Sequence, residues 1–355
     1  MITIIMQEKC LDFLRCPVTR TKLKLIVIKK TTKELDGKSI EVIEEGILQS
    51  EADWFYPIIN GIPRLIVEAF LDYKTFLKLH MKNYEERKQQ IINANKIFLK
   101  TVIKKNKKTK ESFSKEWNLF NYKTDNTWGM DGEDLVKRFC EETDFTIENL
   151  QNKLVLDAGA GNAKLNMLLA GKGITNVAMD FSNSIENAHK INTSSNVYFV
   201  QGDVQFPPFA YNCFDLVHCS GVLIATNNTE LSFSCLETTV KVGGKYSVWL
   251  YHQRDNFIHN TFNFLRQYTS KLPHWFQLFI YYTTLFPISF IIKRLKGNKQ
   301  NTREMMVDIL DWFSPEFRWE HSHTEAAAWF SKRNYTNIKV TTDEMFGFDI
   351  VGIKS

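Results

Sequence analysis

In this sequence, residues able to do chemistry recur at the ends of short apolar runs. Asp157 follows Leu154-Val155-Leu156 and leads into Gly159 and Gly161. Asp180 ends Val177-Ala-Met, Asp203 ends the run 197–202, Ser220-Gly221 end the run 214–219, and His252 follows the run 246–251. Runs of this length suit buried parallel strands, and residues 163–170 have helical spacing, so 153–170 read as strand, glycine loop, helix. Glycines there let the backbone approach a ligand lying across the strand ends, where doubly wound sheets bind nucleotides. A carboxylate about twenty residues further on can accept hydrogen bonds from both ribose hydroxyls. Taken alone, such a turn serves plain strand-to-helix packing as well. No third glycine follows Gly161, so the dinucleotide pattern is incomplete.

The order and spacing of four motifs between residues 153 and 250 resemble those of the class I S-adenosylmethionine methyltransferases, whose first motif is apolar-Asp-x-Gly-x-Gly. The resemblance implies an α/β fold: a Rossmann-like seven-stranded sheet, its last strand antiparallel, with helices on both faces. It also implies S-adenosylmethionine as cofactor. Gly159 and Gly161 would back the methionine end, Asp180 the ribose, Asp203 and Val204 the adenine, and Ser220 and Gly221 the methyl face, with Asp157 and Phe181 also among the cofactor-binding residues. Trp117 belongs to an aromatic stretch that closes over the cofactor in such enzymes; core packing is the alternative. Relatives often carry Gly-Val-Leu-His-His after the fourth strand, whereas Ile224 and Ala225 stand in place of those histidines here. Methyl transfer is a direct displacement that depends mainly on alignment. An oxygen or carbon acceptor also needs a base, and His252 is the candidate; a neutral amine needs none.

These motifs sit in the third of three segments. Residues 1–69, with Cys16-Pro17 near the start and Tyr56-Pro-Ile-Ile-Asn-Gly-Ile-Pro63 at the end, resemble the Trm112-like family, expected as a small α+β domain. Zinc-binding relatives carry two cysteine pairs, but only Cys10 and Cys16 fall here, so no metal is expected. The unit is then a packing module or a docking surface for the domain that follows. Residues 70–130 form a basic helical linker and aromatic lid segment, and residues 131–355 the methyltransferase domain, interrupted at about 255–305.

That interruption is dense in large apolar residues and nearly long enough to cross a bilayer between residues 272 and 292. Pro287, four polar residues and sheet strands on both sides argue against a span. A helical cap forming one wall of the acceptor pocket is expected, with shallow peripheral membrane contact as the alternative. His321 and His323 alone are too few for a metal site. A net charge of +5 is too mild to imply nucleic acid. Scattered cysteines and a start unlike a signal peptide suggest the cytoplasm.

Together these features predict an enzyme methylating a small-molecule or lipid-like acceptor beneath the cap. Its rivals are a non-catalytic docking protein that keeps the fold, and a methyltransferase of nucleic acid or protein.

Overall fold

The computed structural model describes residues 6–118, 125, 130–254, 257–298 and 300–355. The strands are β1 (Leu23–Leu35), β2 (Lys38–Ser50), β3 (Phe55–Ile59), β4 (Ile62–Leu65), β5 (Leu154–Ala158), β6 (Thr175–Asp180), β7 (Val197–Gly202), β8 (Phe214–Ser220), β9 (Val240–Tyr251), β10 (Tyr335–Asp343) and β11 (Gly347–Lys354). Among the described residues all eleven join one sheet, in the order β1-β2-β3-β4-β7-β6-β5-β8-β9-β11-β10. The pairs from β4 to β9 are parallel, and β11 lies antiparallel between β9 and β10. The central strands are apolar on both faces, as helix-covered parallel strands must be: Val155, Leu156, Val177, Ala178, Leu216 and Val217 are all fully buried.

The structure departs from the expected plan in two places. The seven strands from β5 to β11 are only part of the sheet, because the N-terminal strands extend it rather than forming a detached unit. The seam is β4 on β7, through Arg64↔Gln201 and Leu65↔Gly202. Beside it, the fully buried Arg64 pairs with Glu186 at 2.8 Å, and the Tyr73 hydroxyl donates to Gln201 Oε1 at 2.6 Å. Cys16 lies 3.2 Å from the Tyr56 hydroxyl inside that unit, an ordinary packed thiol.

The second departure concerns the apolar interruption. It leaves and rejoins the sheet at one point, where His321 N donates to Tyr251 O (2.8 Å) and Gln253 N donates to His321 O (3.3 Å). Between these lie helix Phe257–Thr269, a long helix through Trp275–Leu295, and helix Thr302–Phe313. The last starts with a capping box: Asn301 accepts from the Glu304 backbone while Glu304 accepts from Asn301 N. It buries Met305, Met306, Ile309 and Leu310. The long helix is the opposite case, with only 11% of its most apolar stretch buried. The predicted cap is therefore not the wall of a pocket. Apolar composition showed only that something must cover this helix: one side packs Tyr281, Leu278, Leu285 and Phe286 against helix Thr302–Phe313, and within the described chain nothing covers its outer face.

Candidate functional site

Order reverses at β5: β6 and β7 lie on one side, β8 and β9 on the other, opening a crevice at the strands' carboxyl ends. A cavity of about 370 Å³ fills this crevice. Asp157, Gly159, Gly161, Asp180, Phe181, Asp203, Val204 and Ser220 all line it. Helix Lys96–Asn118 adds Lys105, Asn106 and Phe113 to the wall. Trp117 falls in that helix, but its side chain lies outside the described residues.

The glycine loop is built by contacts within the protein. Gly159 has φ +94°, and a Cβ there would stand 2.1 Å from Val222 Cγ2. Close backbone packing, rather than ligand approach, thus requires glycine at this position. Asp180 clamps the loop: Oδ2 accepts from Gly161 N (2.8 Å), and Oδ1 accepts from Ser182 N (2.8 Å) and the Ser182 hydroxyl (2.7 Å). Burial raises its pKa against the pull of those donors. A carboxylate offers about four acceptor positions, so roughly one stays free toward the cavity. Asp203 is held similarly, accepting from Gln205 N at 2.8 Å and from Asn106 Nδ2 at 3.3 Å.

Beneath the loop lies a buried ionic cluster. His218, on β8, donates from Nδ1 to Asp157 Oδ1 (3.0 Å) and from Nε2 to Glu142 Oε2 (2.7 Å). Burial opposes its cation, but the two carboxylates outweigh burial and raise the imidazole to about 10. Glu142 ends helix Gly132–Thr143, whose start is fixed by the Asp131 carboxylate accepting from Asp134 N. Burial pushes Glu142 up, yet His218 and Arg138 together hold it below its ordinary value. Asp349 on β11 is raised to about 8, first by burial and then by Glu142.

Beyond β8 the cavity turns aromatic, with Trp249, Tyr251, Trp312, Phe317 and Phe346. Asp311, half-buried on the cavity wall, accepts from the Tyr251 hydroxyl at 3.3 Å. Burial and the neighbouring Asp308 push its carboxyl up to about 6. Arg318 lies 4.0 Å over the Tyr251 ring and 4.4 Å over Trp312, fixing both. Sheet order puts Tyr251 three strands from Asp180, about 14 Å across the crevice.

His252 lies outside the cavity lining. Successive residues of a strand face opposite ways, so when Trp249 and Tyr251 face the cavity, His252 faces away. It instead lies 2.7 Å from Asp343 and stacks edge-on to His323. His252, His323 and Asp343 bring three side chains of metal-ligand type together among the described residues, donor atoms within 4.8 Å of one another. The sequence reading missed Glu142 and Asp311. Asp311 did leave a signal, as one of two acids, with Asp308, in the otherwise apolar run 305–313.

Residues 156–248 match the family model described as methyltransferase domain. No curated protein matches the chain. Solved structures resemble it faintly. Magnesium protoporphyrin IX methyltransferase from Synechocystis PCC 6803 is 13% identical, over 71% of this chain and 100% of that one, with a TM-score of 0.42. A possible exported protein of Bordetella parapertussis is 12% identical, over 63% of this chain and 66% of that one, at 0.39. Human N-acetylserotonin methyltransferase is 14% identical, over 64% of this chain but only 52% of its own length, at 0.38.

Proposed function

We propose that this class I S-adenosylmethionine-dependent methyltransferase acts on a small or lipid-like acceptor seated among Trp249, Tyr251, Trp312 and Phe317. Enzyme class and cofactor follow from the methyltransferase domain at residues 156–248. The acceptor rests on one observation: a single cavity joins the acidic strand ends to an aromatic chamber beside the half-buried Asp311 carboxylate. The donor set fits the cofactor. Asp180 keeps an acceptor position for a ribose hydroxyl, Asp203 and Gln205 offer acceptors for an amine, and Phe181 and Val204 offer apolar surface. When bound, the cofactor supplies an electrophilic methyl group.

The remaining chemistry is the chain's own. The aromatic walls orient the acceptor and exclude water, and an aligned pair of reactants gains most of what this reaction needs. Asp311 replaces His252 as the candidate base. Its carboxylate takes the proton of an acceptor hydroxyl, while the Tyr251 hydroxyl holds the carboxylate in place. A pKa near 6 leaves it ionised at neutral pH yet basic enough to accept that proton.

Calorimetry with S-adenosylmethionine, then transfer of labelled methyl to small-molecule and lipid extracts, tests the reading. The rate is expected to rise with pH through about 6 and to lose that limb in Asp311→Asn. A variant with the full rate and an unchanged pH profile overturns Asp311 as base. Label found only in protein or nucleic acid overturns the acceptor class.

A further inference from the structure

We infer that the long apolar helix docks this enzyme on an anionic lipid surface, lying in the plane of the interface. The helix Trp275–Leu295 has 21 residues, about 30 Å of length. On its outer face large side chains point away from the protein: Trp275 is 72% exposed, Phe279 59% and Leu295 84%, with Tyr282, Ile288 and Ile292 between them. Helix Phe257–Thr269 adds exposed Phe264 and Tyr268. Soluble monomers rarely leave so much contiguous apolar surface in water.

The polar groups are arranged the other way round. Gln277 turns inward, donating to Ser270 O (3.1 Å) and Leu272 O (3.0 Å). The buried Tyr281 donates to Phe313 O at 2.9 Å. Thr283 and Thr284 return their hydroxyls to the helix, donating to Phe279 O and Ile280 O, each at 2.7 Å. Side-chain donors already satisfied within the chain suit a helix that meets hydrocarbon.

Charge selects the partner. Residues 257–298 contain Arg266, Lys271, Lys293, Arg294 and Lys296 and not one Asp or Glu. Lys271, Arg294 and Lys296 are exposed, flanking both ends of the apolar stretch where long cationic side chains reach headgroups. An apolar partner protein would not require this one-signed rim. A transmembrane span is excluded by topology. β9 precedes the helix, β11 follows it, and the two pair from Gly347↔Tyr251 to Ile353↔Lys245, so both flanks stay on one side of the bilayer. An interfacial helix remains.

The test uses the full chain with vesicles of phosphatidylcholine alone or with added phosphatidylserine. Co-sedimentation should be at least about tenfold stronger with phosphatidylserine and should weaken with salt. Lys271→Glu/Lys296→Glu should erase that preference. Trp275→Glu/Phe279→Glu/Ile292→Glu should abolish binding to both, while S-adenosylmethionine affinity is unchanged because none of the three lines the cavity. Brominated lipid should also quench wild-type fluorescence more than that of the conservative variant Trp275→Phe. No vesicle binding overturns the inference. So does a dimer, measured by light scattering, that the triple substitution turns into monomer. Neither result bears on methyl transfer, which is read separately.

Discussion

Gly159→Ala isolates the geometry on which the whole loop depends. At φ +94° an L-residue is strained even compared with the ordinary left-handed region, which costs about 1–3 kcal/mol. The new methyl group would also meet Val222 at 2.1, 2.9 and 3.0 Å from its Cγ2, Cγ1 and Cβ, so Val222 must move. Overpacking of that kind costs about 1–3 kcal/mol. The two terms together predict a loss of about 2–6 kcal/mol in urea unfolding without cofactor. Val222→Ala should return the second term and leave the first. The double variant should therefore be more stable than Gly159→Ala, with a coupling of about 1–3 kcal/mol across the cycle. A Gly159→Ala protein within about 0.5 kcal/mol of the parent, or a cycle with no coupling, would falsify the packing account. The glycine would then have to be explained by ligand approach.

Two more changes probe the neighbouring acids. Asp180→Ala strips the acceptor from Gly161 N, Ser182 N and the Ser182 hydroxyl, so it should lower stability by about 1–3 kcal/mol and weaken S-adenosylmethionine binding at least tenfold. Unchanged affinity in the folded variant removes the ribose role. His218 is raised to about 10 in the folded protein, so its stabilising charge is complete below about pH 6.5 and drains away as pH climbs toward 10. Asp349, raised to about 8, adds a cost between its ordinary value and that pH, again lowering stability as pH rises. Urea midpoints should therefore fall from about pH 6 to about pH 9, and His218→Gln should flatten the upper part of that slope. An equal slope in the variant refutes the paired imidazolium.

The acids at the strand ends were legible because parallel strands announce themselves as apolar runs, and the residue after such a run must emerge at the crevice. Asp157, Asp180, Asp203 and Ser220 all reach the cavity for that reason. His252 stands directly after an apolar run of the same kind, but one step along β9 reverses the face, so it points away from the crevice. The pairing of His218 with Glu142 spans 76 residues and carries no local pattern. The apolar helix hid its role differently: hydrophobicity says that a surface needs cover, and only the packing of helix Thr302–Phe313 shows which surface the protein covers itself. The seam at β4 was unreadable for a related reason, since a two-residue parallel contact leaves no periodic trace.

That seam decides where the sheet stops. A bare β7 would end it with Val197, Tyr198, Phe199 and Val200, an apolar rim of unpaired backbone groups able to recruit another chain. β4 pairs with β7 only at Gln201 and Gly202, but the unit it anchors sets Leu14, Leu25, Ile43 and Ile58 beside Val197, Tyr198 and Phe199. Its strands move the border out to β1, which carries Lys24, Lys29, Lys30 and Lys33 and an irregular register around Val27–Lys30. The opposite border, β10, is broken by two register shifts and carries Lys339. Both rims thus resist edge-to-edge association, and losing the first 69 residues should cost solubility before it costs chemistry.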